Sequence, residues 1–210
     1  VVALKLNQFV WSSSLAYAVG LLVTDGNLSI DGRHVDLSSV DMEQLENFSL
    51  CIGKTIKIGT KKSGSGNESF RIQFSDVSFY RFLLKIGLTP HKSKTISQVK
   101  IPKRFFFDFL RGHFDGDGTF YSYYDPRWKN SYMFYICFSS ASKTHINWLQ
   151  SKILELTGLK GSISKAKTNS AYQLKYAKAE SLVLVKKLYY NKQVVCLSRK
   201  RAKIENARVL

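Results

Sequence analysis

Two aspartates, Asp115 and Asp117, stand where an apolar run beginning near Phe105 meets the glycines of Leu110-Arg-Gly-His-Phe-Asp-Gly-Asp-Gly118. Such a run reads as a helix ended by glycine, and a helix C-terminus already carries roughly half a negative charge. Carboxylates there are unfavourable unless a cation compensates them, so the stretch reads as half of a metal site. A related stretch, Ala18-Val-Gly-Leu-Leu-Val-Thr-Asp-Gly26, sets Asp25 92 positions ahead of Asp117. One Asp-Gly helix end is a turn; two at matching positions are a site built twice. Two carboxylates at two negative helix ends repel unless divalent cations lie between them. Hard oxygen donors suit magnesium, which keeps several of its waters. Beside a phosphate, a pair of such ions activates a water and stabilises the leaving oxygen of an in-line displacement. The chemistry is that of a metal-dependent phosphodiesterase with one carboxylate from each copy. Asp115 has no acidic counterpart, because Val23 stands in its place. His113 and Phe114 read as packing.

The elements that hold these carboxylates repeat in the same order. Hydroxyls at 12–14 offer a cap for a helix over 15–23, and Ala16, Gly20 and Thr24 form a stripe of small residues along one face. A hairpin over 27–40 turns at Asp31-Gly32. Asp41, with Gln44 at the capping-box position, starts a helix carrying Leu45, Phe48 and Ile52. A second hairpin pairs 55–60 with 68–75 across a loop at 61–67, its apolar and basic residues alternating. Asp76 caps a third helix through Phe79, Phe82, Leu83 and Ile86, ended by Gly87. A lysine-rich connector, solvated by its composition, covers 89–102. The second copy runs from 103 to 207. Its first helix holds Asp108, Gly112 and Gly116 at 92 positions after Ala16, Gly20 and Thr24. Hairpins over 119–141 and 159–176 follow, with a helix capped by Ser142 between them, then a helix over 178–189 and a basic helical tail over 198–203. The boundaries are therefore 12–88, 89–102 and 103–207. The fold class is α+β: two pseudo-symmetric αββαββα repeats packed through their first helices, whose two antiparallel sheets make a saddle.

Composition narrows the partner. The 210 residues carry 32 Lys and Arg against 15 Asp and Glu, a formal charge of +17, a field that favours polyanions. The basic residues fall largely in strands rather than along one helical face, which favours nucleic acid over a membrane surface. No signal peptide is visible, and no apolar run reaches the ~18 residues that span a membrane. Cys51, Cys137 and Cys196 are odd in number and far apart, as in a reducing intracellular compartment, and the four histidines lack zinc-ligand spacing. A strand of ~8 residues spans about 27 Å. Two sheets end to end cover on the order of 60 Å, or roughly 18 base pairs of duplex. The polar strand faces and the hairpin loops and tips nominate Asn27, Ser29, Arg33, Lys57, Lys61, Arg71, Gln73, Tyr121, Tyr123, Arg127, Lys165, Lys167, Gln173 and Lys175 as DNA contacts.

At these residues the chain resembles the single-chain, two-repeat LAGLIDADG homing endonucleases. Phe109-Leu-Arg-Gly-His-Phe-Asp-Gly-Asp-Gly118 matches that motif closely, and the first copy keeps Gly20, Asp25 and Gly26. The resemblance implies site-specific cleavage of both strands of a duplex of about 18–22 base pairs, a span set by the ~3.4 Å rise per base pair. It implies a monomer acting inside the cell, in a prokaryotic cytoplasm or nucleoid or in an organelle matrix. Two or three magnesium ions would lie between the motifs, with manganese or calcium able to substitute. Asp25 and Asp117, with Thr24 and Gly116 beside them, would hold the metal. Family members place a lysine near the site, for which Lys92 or Lys94 serves in the first repeat and Lys200 in the second. Ser39 and Ser140 occupy the strand-end positions that order water in relatives. Two other functions occur on such a scaffold: an intron RNA maturase, and a catalytically silent DNA-binding protein.

Overall fold

A computed structural model describes residues 9–62, 68–128, 130–166 and 171–207. Its organising contact is between two helices, α1 (Ser13–Thr24) and α4 (Phe106–Asp117), which pack on each other more extensively than any other pair of elements. Ser12 starts α1, its side chain accepting from the Leu15 amide. Residues 15–23 are all buried, as befits a helix that is apolar on every side. The two backbones meet where side chains are missing. A Cβ on Gly20 would lie 2.2 Å from the Phe109 carbonyl oxygen, and one on Gly112 2.1 Å from that of Tyr17. The stripe of small residues thus gives backbone contact at Gly20 and Gly112 and close contact with the Thr24 and Asp25 side chains at Gly116, but no such approach at Asp108. That carboxylate instead accepts from Arg111 at 2.8 Å and Tyr190 at 3.0 Å.

Each helix feeds a four-stranded antiparallel sheet. The first contains β1 (Gly26–Leu28), β2 (His34–Ser39), β3 (Gly59–Lys62) and β4 (Glu68–Ser75) in the order β1-β2-β4-β3. The second contains β5 (Thr119–Tyr124), β6 (Tyr132–Ser140), β7 (Ser162–Lys165) and β8 (Tyr172–Tyr176) in the order β5-β6-β8-β7. Helices α2 (Met42–Cys51) and α3 (Val77–Ile86) complete the first repeat, α5 (Lys143–Thr157) and α6 (Lys178–Leu188) the second, and α7 (Ser198–Asn206) follows. This is the α+β, twice αββαββα architecture expected. Alternation puts Val35, Leu37 and Ile72 of one sheet and Phe134, Ile136, Phe138 and Leu174 of the other into the shared core. Asp76 caps α3 through the Phe79 amide, and Gly87 ends it in the left-handed conformation. No helix among the described residues is long and apolar enough to cross a membrane.

Three local expectations give way. β3 begins at Gly59 rather than at residue 55, so Lys57 precedes the strand and Lys61 lies within it; the rest of that turn, 63–67, lies outside the described residues. The connector is not simply solvated: Lys92, Ile96 and Val99 are buried, because a turn of 3-10 helix at Lys92–Lys94 folds back on the core. Asp41 precedes α2 without capping it; its two oxygens are held by Arg199 at 2.7 and 2.6 Å.

Replacing Gly112 with Ala is expected to destabilise the protein by about 3 kcal/mol, the upper part of the overpacking range. Gly53→Ala meets open space at φ +66° and is expected to cost only about 1 kcal/mol, the left-handed penalty. Urea denaturation of the two variants checks the contrast; equal losses would mean that the helices need not touch.

Candidate functional site

Close packing of α1 on α4 brings both helix C-termini, and so Asp25 and Asp117, to one place. A Cβ on Gly116 would sit 2.0 Å from Thr24 Oγ1 and 2.7 Å from Asp25 Oδ2, so the second motif lies directly against the first carboxylate. Burial pushes the Asp25 carboxyl above its ordinary range. It pushes Asp117 up to about 6, and the neighbouring Asp25 charge adds to the effect. By accessible area Asp117 is exposed, so the effect on its carboxyl comes from the protein packed around it rather than from enclosure.

Two buried lysines answer this negative charge in matching ways. Lys92 Nζ donates to the Gly26 carbonyl at the end of the first motif. Lys200 Nζ donates to the carbonyls of Phe114, Gly116 and Gly118 at 2.7, 3.0 and 2.7 Å. Gly26 and Gly118 are the same motif position, so the two ammonium groups are related by the pseudo-twofold. Each neutralises a helix C-terminus as a cation should. Burial lowers both to about 8, while both aspartates pull the other way. Of the three lysines named from sequence, the structure gathers Lys92 and Lys200; Lys94 lies exposed on the connector.

The halves differ in how the aspartates are held. Gln44 is buried and its Nε2 donates to Asp25 Oδ2 at 2.7 Å. Its Oε1 accepts from Ser39 Oγ at 3.3 Å, which fixes the amide with its nitrogen toward the carboxylate. Ser39 Oγ also accepts from the Asp41 amide, and Ser140 Oγ does the same for Ser142, each at 3.1 Å. The residue matching Gln44 is His145, which is buried, stacks on His113, and has Nδ1 2.7 Å from the Ser97 carbonyl. Asp117 has no hydrogen bond of its side chain among the described residues. In the sequence Gln44 reads as the capping-box partner of Asp41; the sign that it faces inward is its position in the apolar phase of α2, one before Leu45 and four before Phe48.

Asp115, unmatched in the first repeat, takes a structural place. It is buried and accepts from Tyr17 Oη at 2.8 Å and the Leu197 amide at 2.7 Å. The neighbouring Arg111 donates to the carbonyls of Val195 at 2.8 Å and Leu188 at 2.9 Å. Together they pin the segment that leads into α7, and so set Lys200.

The remaining named residues lie over the sheets. Register places Asn27, Gln73, Arg71 and Lys61 on the polar face of the first sheet, with Arg71 bonded to Asp36. Ser29 follows β1, and Arg33 lies in the turn with its Nε 3.6 Å from Asp31. Tyr121, Tyr123, Gln173 and Lys175 share the polar face of the second sheet. There Tyr121 and Tyr135 stack at 5.0 Å beneath the Lys175 ammonium. Arg127 is held by Asp125 in the β5–β6 loop. Lys165 pairs with Tyr172, on the side of its sheet opposite Gln173. Lys167 lies outside the described residues.

The donors at the centre are carboxylates and backbone carbonyls, a hard-oxygen set suited to magnesium, manganese or calcium. Two carboxyls raised by burial, that of Asp117 also by the Asp25 charge, are what a divalent cation would relieve. The residues fit such an ion.

No protein-family model and no curated protein matches the chain. Solved structures do. Full-length DUF199/WhiA from Thermatoga maritima aligns over 97% of this chain at 12% identity and a TM-score of 0.61. This chain spans 62% of that protein's length. The homing endonuclease I-WcaI, bound to its DNA recognition sequence, aligns over 95% of this chain and 89% of its own at 14% identity and a TM-score of 0.64. The meganuclease I-SmaMI, bound to uncleavable DNA, aligns over 94% and 89% at 13% identity and 0.59. The chain therefore has the LAGLIDADG-type fold.

A pH dependence follows. The folded-state Asp117 carboxyl, at about 6, lies above its unfolded value near 3.9. Its contribution to stability is full below the unfolded value and is lost as pH rises through 6. In a chelator, Asp117→Asn is therefore expected to melt above the unmodified protein at pH 7.5 and with it at pH 4. Circular-dichroism melts at both pH values check this; a variant that melts lower at pH 7.5 would contradict it.

Proposed function

We propose that the protein is a divalent-metal-dependent DNA endonuclease that cuts both strands of a long duplex site. The observation that carries this reading is the joining of Asp25, Asp117, Lys92 and Lys200 across a pseudo-twofold axis. A structural helix crossing has no use for two carboxylates at two negative helix ends. The likeness to endonucleases solved on DNA supports duplex DNA as the partner, as does the charge of +17. The two polar sheet faces, with Lys61, Gln73, Gln173 and Lys175 upon them, supply the surface. One chain contains both halves, which suits a monomer acting inside the cell.

Asp25 and Asp117, with the backbone at Thr24 and Gly116, would hold magnesium; the bound ions supply the activated water and stabilise the leaving oxygen. Gln44 fixes the rotation of Asp25 by holding Oδ2. Lys92 and Lys200, lowered to about 8, stay largely protonated at neutral pH. Their Nζ atoms hold positive charge behind the two aspartates, with all three N–H groups of Lys200 given to carbonyls. Ser39 orients Gln44 through its hydroxyl.

A second reading is a DNA-binding protein without cleavage, since the same fold occurs in DUF199/WhiA as well as in the endonucleases. One experiment separates the two. The protein is incubated with magnesium and a plasmid library carrying randomised inserts, and cut sites are sequenced. Asp25→Asn and Asp117→Asn are each expected to slow cleavage of the selected site by roughly 10³-fold, about 4 kcal/mol of transition-state stabilisation. Duplex affinity should stay within about threefold, because neither aspartate lies on the sheet faces that carry the phosphate contacts. Binding without cleavage by the unmodified protein supports the second reading. Full cleavage by both variants overturns the assignment of the aspartates. Gln44→Ala is expected to slow the reaction about tenfold, a loss of roughly 1.4 kcal/mol, through misplacement of Asp25.

A further inference from the structure

Arg199 stands apart from the other cations of the surface. It opens α7 and borders both hollows at the site: one lined by Asp25, Ser39, Gln44 and Gly116, the other by Asp117, Lys200 and Lys203. Its side chain is 58% exposed. Both of its bonds run to one partner, Asp41 of the other repeat, at 2.7 and 2.6 Å.

Docking of α7 does not need this pair. Glu43 already accepts from the Ser198 amide at 3.0 and 3.1 Å and from its hydroxyl. Asn47 donates to the Cys196 carbonyl at 3.0 Å, and Asp115 holds the Leu197 amide. An exposed ion pair beside such ties adds little stability. A planar guanidinium that holds a carboxylate through two parallel bonds offers the same fork to a phosphate. In the first repeat the residue just before the buried lysine is His91, so only the second repeat places an arginine there.

We infer that Arg199 is a phosphate-binding residue of the site, held by Asp41 in the free protein and passed to a DNA phosphodiester when duplex fills the hollows. This deepens the endonuclease reading and rests on it. No bond is made or broken: the guanidinium exchanges one oxyanion for another, and Asp41 is left facing Asp25's hollow with its charge uncompensated. Removing Asp41 therefore frees the guanidinium, and removing Arg199 leaves the phosphate without it.

The test uses the full chain, a mixed-sequence 24-base-pair duplex as probe, and calcium as the divalent ion. Binding is followed across a series of potassium chloride concentrations. Arg199→Ala is expected to lower the slope of log affinity against log salt by about 0.9, one phosphate contact, and to weaken binding severalfold. Asp41→Asn is expected to act in the opposite direction, tightening binding with the slope unchanged. Arg199→Lys, which keeps the charge if alanine impairs folding, should keep the slope. Lys186→Ala, on the exposed side of α6, serves as the control and should leave the slope unaltered. Equal weakening by Arg199→Ala and Asp41→Asn would make the pair an inter-repeat clamp and overturn the inference, as would an unchanged slope for Arg199→Ala. The endonuclease reading fails separately, if the unmodified protein binds the plasmid library in magnesium and never cuts it; the binding comparison still decides Arg199.

Discussion

Two helices touch backbone to backbone at Gly20 and Gly112, and a methyl group in either place would overlap a carbonyl of the opposite helix. The closeness has an electrostatic consequence. Helices packed this tightly end side by side, and both ends point negative partial charge at the same spot. The chain then adds a carboxylate to each. Every other feature near the centre offsets that concentration of negative charge or makes use of it.

The offset comes from parts of the chain remote in sequence. Lys92 arrives on the connector between repeats and Lys200 on the last helix, yet each seals the same motif position with its ammonium. Burial lowers both ammonium groups, and the facing carboxylates, Asp25 and Asp117 for each and Asp115 for Lys200, pull them back up. In return the lysine charges lower both aspartates against the effect of burial. A divalent ion added between the aspartates would complete that balance.

The pseudo-symmetry stops at the supporting residues. Gln44 holds Asp25, while His145 in the matching place turns to the connector at Ser97. Asp115 and Arg111 organise the path to α7, whereas Val23 in the first repeat is an ordinary core residue. The sheets differ too: the first pairs Arg71 with Asp36, and the second stacks tyrosines under Lys175. Duplicated helices set the position of the aspartates, and unduplicated contacts set their surroundings.

The repeat, the order of elements, the two helix-end aspartates and the stripe of small residues were all legible in the sequence, because each rests on local spacing. Periodicity fixes helix and strand phase, glycine marks chain reversal, and a motif repeated at 92 positions implies equivalent places. The choice of Lys92 over Lys94 was not legible, since both lie in one polar connector and only its fold back onto the core buries one of them. Gln44 read as a cap and Asp41 as another; tertiary contacts from Asp25 and from Arg199, 158 residues away in the chain, claimed both side chains. Asp115 looked like a spare ligand and became a buried anchor. Local pattern determines where a side chain sits on its own element. Which charge it meets depends on elements brought together by packing, and that is decided only in three dimensions.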